Sequence, residues 1–357
     1  MLGRTRRLAL LAEGRFTPSD AKTAVGVLRY RPEEVAAVID STRAGRTAAE
    51  CAGVGGAVAV VDGVAAAAAA GADTLLIGVA PQGGELPAAW RGSVLDALER
   101  GWDVLSGLHA FLGDDPAFAA AASRTGAHLY DARRAPARRP VAAGRAAAVT
   151  ATVTLTVGSD CNVGKMTAAV ELARALQARG ERAAFVATGQ TGMFIADHGV
   201  SVDAVPSDFV AGFTEELVLG AAQDADHVLV EGQGALHHPA YSGVALGILH
   251  GACPAALVLC HQAGRTHLRL AAAPGVFPIP PLPALVEAQE RAARWVRPAR
   301  VVGLALNTLG LDEPAARAAC DAATCETDLP ATDPVRFGAG PLAEALAAFR
   351  RDHAPAA

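Results

Sequence analysis

Residues 151–176, ATVTLTVGSDCNVGKMTAAVELARAL, decide how the second half of the chain folds. The run ATVTLTV (151–157) predicts a buried strand. A loop then opens at Gly158 and closes at Gly164-Lys165, and from 165 to about 179 apolar side chains recur at helical spacing. Strand, glycine-bounded loop and helix in this order make a phosphate cradle. Backbone N–H groups of Gly158, Ser159, Asp160, Cys161, Asn162, Val163 and Gly164 converge on an anion, the helix N-terminus adds its positive end, and Lys165 reaches the terminal phosphates. Two features depart from the commonest pattern. Five residues separate Gly158 from Gly164 where four are usual, and Met166 stands where a magnesium-binding hydroxyl is expected, so either Thr167 takes that role or acids and water hold the metal. Cys161 reads as a small loop residue rather than a nucleophile, because phosphate would occupy its surroundings.

Downstream, HVLVEGQGAL (227–236) is an apolar strand ending in Glu231, followed by Gly232 and Gly234. An acid at a strand end beside such a loop binds Mg²⁺ directly or through water, and glycines let the backbone pass close to phosphate. Further strands are predicted at 182–187, 255–260 and 301–307, and helices at 165–179, 211–224, 283–294 and 313–323. Alternation of this kind predicts a doubly wound parallel α/β sheet, whose ligands gather at the carboxyl ends of the strands. That address makes several polar residues candidates for the substrate: Gln190, Thr191 and Gly192 after the second strand, and His261 and Arg265 after the strand at 255–260. Arg265 has the planar fork suited to a carboxylate or phosphate. Asp203 and Asp208 offer carboxylates for magnesium or a substrate amine, although Asp208 is equally well explained as a helix cap. In GALHHPAYSG, His237, His238, Tyr241 and Ser242 follow Glu231 closely, and one imidazole would deprotonate an amino group poised for attack. Adjacent histidines lack the spacing and third ligand of a zinc site.

The first half also alternates. TAVGVLRY (23–30), EVAAVID (34–40), GAVAVVDG (56–63), DTLLIGVA (73–80) and WDVLSG (102–107) are predicted strands, with helices at 63–72 and 92–101. No GxGxxG is present, and GVGG (53–56) reads as a tight turn. DARRAPARRPVAAGRAA (131–147), rich in proline and arginine, predicts a solvated linker. The expected domains are therefore 1–147, a Rossmann-like α/β domain, and 148–357, a P-loop domain.

Composition sets bounds on this reading. The 357 residues are 52% hydrophobic and 19% charged with a formal net charge of −5, which suits large cores and gives no nucleic-acid footprint. Six cysteines (51, 161, 253, 260, 320, 325) form no CxxC pair and no regular framework, as expected of a reduced, cytoplasmic protein. The apolar run near the N-terminus is too short for a signal sequence, and the alanine tract from Ala65 to Ala70 cannot span a bilayer. No membrane or nucleic-acid partner is expected, and homo-oligomers are.

GSDCNVGK and VEGQG resemble the corresponding elements of dethiobiotin synthetase and its relatives. That resemblance implies a doubly wound sheet binding ATP and Mg²⁺, an acyl-phosphate intermediate, and an adenine-reading asparagine after a late strand, here Asn307. A resemblance over nearly the whole chain is carried by GSDCNVGKMT, ATGQTG, VDAVPSDFVAG, VEGQGALHHPAYSGVALGILHG and LCHQAGR. These are similar to a family of two-domain P-loop proteins that includes D-glutamate N-acetyltransferases, and they imply a Rossmann-like N-terminal domain and a normal Lys-x-Thr loop ending. The expected function is acylation of the amino group of a small, acidic amino acid. Its acyl donor is either an ATP/Mg²⁺-activated carboxylate or acetyl-CoA. A small-molecule kinase and a nucleotide-switched carrier NTPase are the alternatives.

Overall fold

The computed structural model describes residues 6–353 apart from 82, 197 and 271, and divides into two compact units. One extends to Ala135 and takes in Met193–Ala204; the other comprises Pro136–Gly192 and the chain from Val205 onward.

The first unit runs β1 (Leu8–Leu11), α1 (Lys22–Tyr30), β2 (Val35–Ile39), α2 (Ala48–Ala52), β3 (Ala59–Val61), α3 (Val64–Ala69), β4 (Thr74–Ile77), α4 (Arg91–Glu99), β5 (Asp103–Ser106), α5 (Pro116–Thr125) and β6 (Leu129–Asp131). Its six strands are all parallel in the order β3-β2-β1-β4-β5-β6, the Rossmann-like winding that reverses between β1 and β4. Two sequence expectations change here. Residues 23–30 are helix, not strand: Ala24, Val27 and Leu28 are buried at i, i+3 and i+4, whereas Val25 and Arg29 are only half-buried. The sheet instead begins with LALL at 8–11, four fully buried residues that are too few to announce themselves by alternation. Helix α5 was also unanticipated, although its signals are local: Asp115 accepts from the N–H groups of Ala117 and Phe118, Pro116 opens the first turn, and Gly126 closes the last in the left-handed region.

The second unit contains β7 (Thr152–Gly158), α6 (Lys165–Ala178), β8 (Ala183–Val186), the first turn of α7 (Gln190–Ala196), α8 (Ser207–Ala221), β9 (His227–Val230), α9 (Ser242–Ala252), β10 (Ala256–Gln262), α10 (Leu282–Ala293), β11 (Arg300–Asn307), α11 (Glu313–Thr327), β12 (Ala331–Thr332) and α12 (Gly340–His353). Its parallel sheet has the order β12-β11-β10-β7-β9-β8. The chain leaves β7 toward β8 and β9, then returns on the other side through β10, so the crossovers part at the carboxyl end of β7. Every residue of β7 is buried, as a central strand covered on both faces requires. Val163, Ala169, Leu172 and Leu176 pack with Leu229, Val258 and Leu342, which anchors the α6 end of the loop between β7 and α6.

The arginine- and proline-rich stretch is not a solvated linker throughout. Its later part docks on α8: Glu215, fully buried, accepts from the N–H groups of Ala143 (3.2 Å) and Arg145 (2.6 Å) and from the Arg145 guanidinium at 2.8 and 3.0 Å. Burial pushes the Glu215 carboxyl up, but these donors outweigh it and hold it below its ordinary value. Arg138 lies over the Phe213 ring and pairs with Glu216. Among the described residues, no helix is long and apolar enough to cross a membrane.

Candidate active site

The loop from Gly158 to Gly164 turns twice through the left-handed region, at Asn162 (φ 57°) and Gly164 (φ 105°), before Lys165 begins α6. Successive turns of this kind aim backbone N–H groups inward. Lys165 is buried (6% exposed), and its ammonium donates to the Asp160 carbonyl at 2.7 Å. Burial pushes its pKa down, while charges on Cys161, Cys260, Asp160 and Glu231 work the other way. Met166 and Thr167 follow in the first turn of α6, both half-buried.

Asp160 organises the loop from within. It is fully buried; Oδ1 accepts from Cys161 N–H (2.6 Å), and Oδ2 accepts from the Arg265 guanidinium and from Arg269 N–H, both at 2.9 Å. Arg265 also donates to the Cys161 carbonyl at 2.8 Å and to Gln262. Sequence reasoning placed this guanidinium on a ligand; the structure spends it on the loop's own carboxylate and backbone. His261 likewise faces the loop, with Nδ1 2.8 Å from the Ser159 hydroxyl. Burial, helped by Arg265, depresses its pKa to about 4, so near neutral pH it is an uncharged partner of Ser159 and not a cationic clamp.

Glu231 follows β9, adjacent to β7, and its carboxylate is held by donors from the neighbouring strand's end. Its Oε2 accepts from the N–H groups of Thr188 and Gly189 at 3.1 Å each, and Gln233 reaches Oε1 at 3.3 Å. Two glycines make this possible. A Cβ on Gly192 would lie 2.4 Å from Glu231 Oε2, and one on Gly232 would lie 1.7 Å from the Thr156 carbonyl of the neighbouring strand. Thr188 and Gly189 cradle the acid, and Gln190, Thr191 and Gly192 form the opening of α7.

The two histidines differ. His238 is buried beside the Tyr241 ring, with centroids 4.7 Å apart; its Nδ1 accepts from Ala240 N–H at 3.2 Å, and Nε2 lies 3.9 Å from Asp160. Accepting at Nδ1 leaves the proton of the neutral ring on Nε2. His237 meets the loop at the Ser159 backbone, while its Nε2 is buried without a hydrogen-bond partner among the described residues. Burial pushes the pKa of His237 below its ordinary value and outweighs the pull of Ser159 and Asp160; it also lowers His238. Asp160, Cys161 and His238 bring potential metal-binding atoms within 4.8 Å of one another. The tautomer set by Ala240 and the Arg265 guanidinium at Asp160 oppose a metal there.

Other candidates lie at the margins. Tyr241 is half-exposed at the start of α9, and Ser242 is that helix's first residue. Asn307 ends β11, and its side-chain oxygen accepts from Leu309 N–H at 3.0 Å. Asp208 is exposed in the first turn of α8 and makes no capping hydrogen bond. Asp203 belongs to the first unit, where it pairs with Arg133 at 2.8 Å. The Asp160–Arg265 pair and the Thr188–Gly189 cradle had no sequence signal of their own, because each joins residues far apart in the chain.

A strand–loop–helix cradle on the central strand, facing a strand-end acid on the next strand, defines a P-loop protein. Residues 140–343 match the DUF1611_C P-loop domain and residues 41–135 the DUF1611_N Rossmann-like domain, both described as domains of unknown function; the chain belongs to this DUF1611 family. A D-glutamate N-acetyltransferase of Tritonibacter scottomollicae is 41% identical over 92% of this chain and 94% of its own length. One of a Pseudoalteromonas species is 34% identical over 76% of this chain and 80% of its own. The crystal structure of a DUF1611 family protein from Anabaena variabilis superposes with a TM-score of 0.90 at 39% identity, covering 96% of this chain and 99% of that one. Relatives this similar over most of their length make the chain a member of an enzyme family.

Proposed function

We propose that this enzyme transfers an acetyl group from acetyl-CoA to the amino nitrogen of a D-amino acid with an acidic side chain, D-glutamate foremost. The substrate comes from the names of the two relatives. The observation within the molecule that carries the chemistry is the juxtaposition of an anion cradle with a neutral imidazole whose Nε2 lone pair is unpartnered. An amino acid's nitrogen is an ammonium at neutral pH and attacks a thioester only after losing a proton. His237 accepts it, and its lowered pKa keeps the ring in the basic form. The helix α6 N-terminus and Lys165 hold phosphate of the acyl donor, and Asn307 is the group that the resemblance to dethiobiotin synthetase offers for its adenine. The thioester supplies the acetyl carbon. Gln190, Thr191, Tyr241 and Ser242 are the polar groups available to orient the amino acid.

The Glu231 carboxylate, held by the Thr188 and Gly189 N–H groups, favours one second reading. With Thr167 it suits Mg²⁺ beside a nucleotide in the same loop, and the acyl group would then be a carboxylate activated by ATP. The test incubates pure protein with D- and L-glutamate and either acetyl-CoA or ATP, Mg²⁺ and acetate. Free CoA and N-acetyl-D-glutamate are expected from the first pair. ADP with the same amide from the second would replace the donor, and no amide from either would overturn the proposal.

A further inference from the structure

We infer that a basic groove beside the loop binds the 3′-phosphate of coenzyme A and so selects this donor over adenine nucleotides lacking that group. This rests on the acetyl-CoA reading above. The groove, of about 610 Å³, is built by the segment that follows β10. Leu268 N–H donates to the Phe277 carbonyl (2.9 Å) and Ile279 N–H to that of Thr266 (2.8 Å), pinning residues 266–269 as an extended rung. Side chains alternate across an extended chain. Leu268 is buried and His267 and Arg269 are exposed, and all three line the groove.

The charge is one-sided. No aspartate or glutamate lines the groove, and the Arg269 guanidinium has no hydrogen bond or ion pair among the described residues. The neighbouring carboxylate, Asp160, already accepts from Arg265 and from Arg269 N–H. His267 uses Nδ1 toward the Thr266 hydroxyl, which leaves Nε2 for a ligand.

Position narrows the ligand. Arg269 N–H on Asp160 sets one wall against the phosphate loop, and Ala263 N–H, donating to the Asn307 carbonyl at 3.0 Å, sets another rim beside the adenine-reading candidate. A ligand with its diphosphate in the loop and its adenine near Asn307 carries its ribose past this groove. In coenzyme A that ribose bears a third phosphate; in ATP or ADP it bears only hydroxyls, which would leave Arg269 unmatched.

Steady-state kinetics with acetyl-CoA and acetyl-dephospho-CoA test this. The wild-type KM should be about tenfold or more higher for the dephospho donor, the loss expected for one hydrogen bond to a charged group. Arg269→Ala should raise the acetyl-CoA KM until the two donors converge, and His267→Ala should move it part of the way. Titration calorimetry with adenosine 3′,5′-bisphosphate against adenosine 5′-monophosphate gives a readout without turnover; the preference for the bisphosphate should vanish in Arg269→Ala. Equal use of both donors by the wild type, or discrimination retained by Arg269→Ala, overturns the groove assignment while leaving the acetyltransferase reading intact. An Arg269-dependent bisphosphate preference in a protein that transfers no acetyl group does the reverse.

Discussion

At the carboxyl end of β2, Asp40 is as completely buried as Asp160 in the loop after β7, yet the two carboxylates do opposite things. Asp40 Oδ1 accepts from Gly14 N–H, Thr42 N–H and the Thr42 hydroxyl, and Oδ2 accepts from Phe16 N–H, all between 2.6 and 3.1 Å. In dinucleotide-binding folds an acid near this place holds a ribose hydroxyl. Here its capacity is consumed in closing the β1–α1 turn, which also lacks the glycine pattern that lets a pyrophosphate approach. Asp160 spends its capacity drawing Arg265 and Arg269 onto the loop after β7. There the Ser159 and Cys161 N–H groups donate to the Cys260 carbonyl and to Asp160 itself and are not free for an anion. The same parallel architecture thus carries a turn closed by a buried carboxylate in one unit and a glycine-bounded loop with a buried lysine in the other. The loop chemistry decides, not the sheet.

The sharpest way to break this contrast is Lys165→Ala. Removing the charge that meets phosphate should lower kcat/KM by about a thousandfold, in line with loss of a transition-state or phosphate donor, while circular dichroism shows a folded protein. Near-normal turnover would make the second edge as inert as the first. Next in size, His237→Gln should cost about a hundredfold in kcat. Its pH profile is more telling than its magnitude. A base must be unprotonated, so wild-type activity is lost as pH falls through the His237 pKa, which burial has moved below its ordinary 6.5. That acid limb should disappear in the glutamine variant; if it persists, another group is the base.

Legibility in the sequence followed the range of the interactions. The β7–loop–α6 unit, Glu231 and the helices at 165, 211, 283 and 313 were readable because strand, turn and helix signals are adjacent in the chain. TAVGVLRY misled because β-branched and aromatic residues sit at positions that fit either period, and burial of Ala24, Val27 and Leu28 settles it only once a sheet lies underneath. Helix α9 was hidden by glycines in SGVALGILHG, and β12, two residues long, offers no pattern at all. In the candidate site, the loop and its lysine were legible as a strand–loop–helix unit. The partners that fix them were not: Arg265 is 105 residues from Asp160, and Thr188 is 43 from Glu231. Those pairings exist only after the sheet has formed.

Paired Asp→Asn substitutions carry the comparison to its smallest expected effects. Asp160→Asn keeps the shape but leaves the nearly buried Arg265 without its counter-charge, so the variant should lose about 3 kcal/mol of stability and bind acetyl-CoA more weakly as the loop and the 266–269 rung come apart. Asp40→Asn replaces one of the two acceptor oxygens by an N–H donor, which then faces either the N–H of Gly14 or that of Phe16, a mismatch worth about 1–2 kcal/mol. It touches no ligand in this account. Its KM for acetyl-CoA should therefore equal that of the wild type in urea-free buffer even as its urea midpoint falls. A raised KM in Asp40→Asn would mean that the closed edge takes part in donor binding after all, and that the two units are less different than their loops suggest.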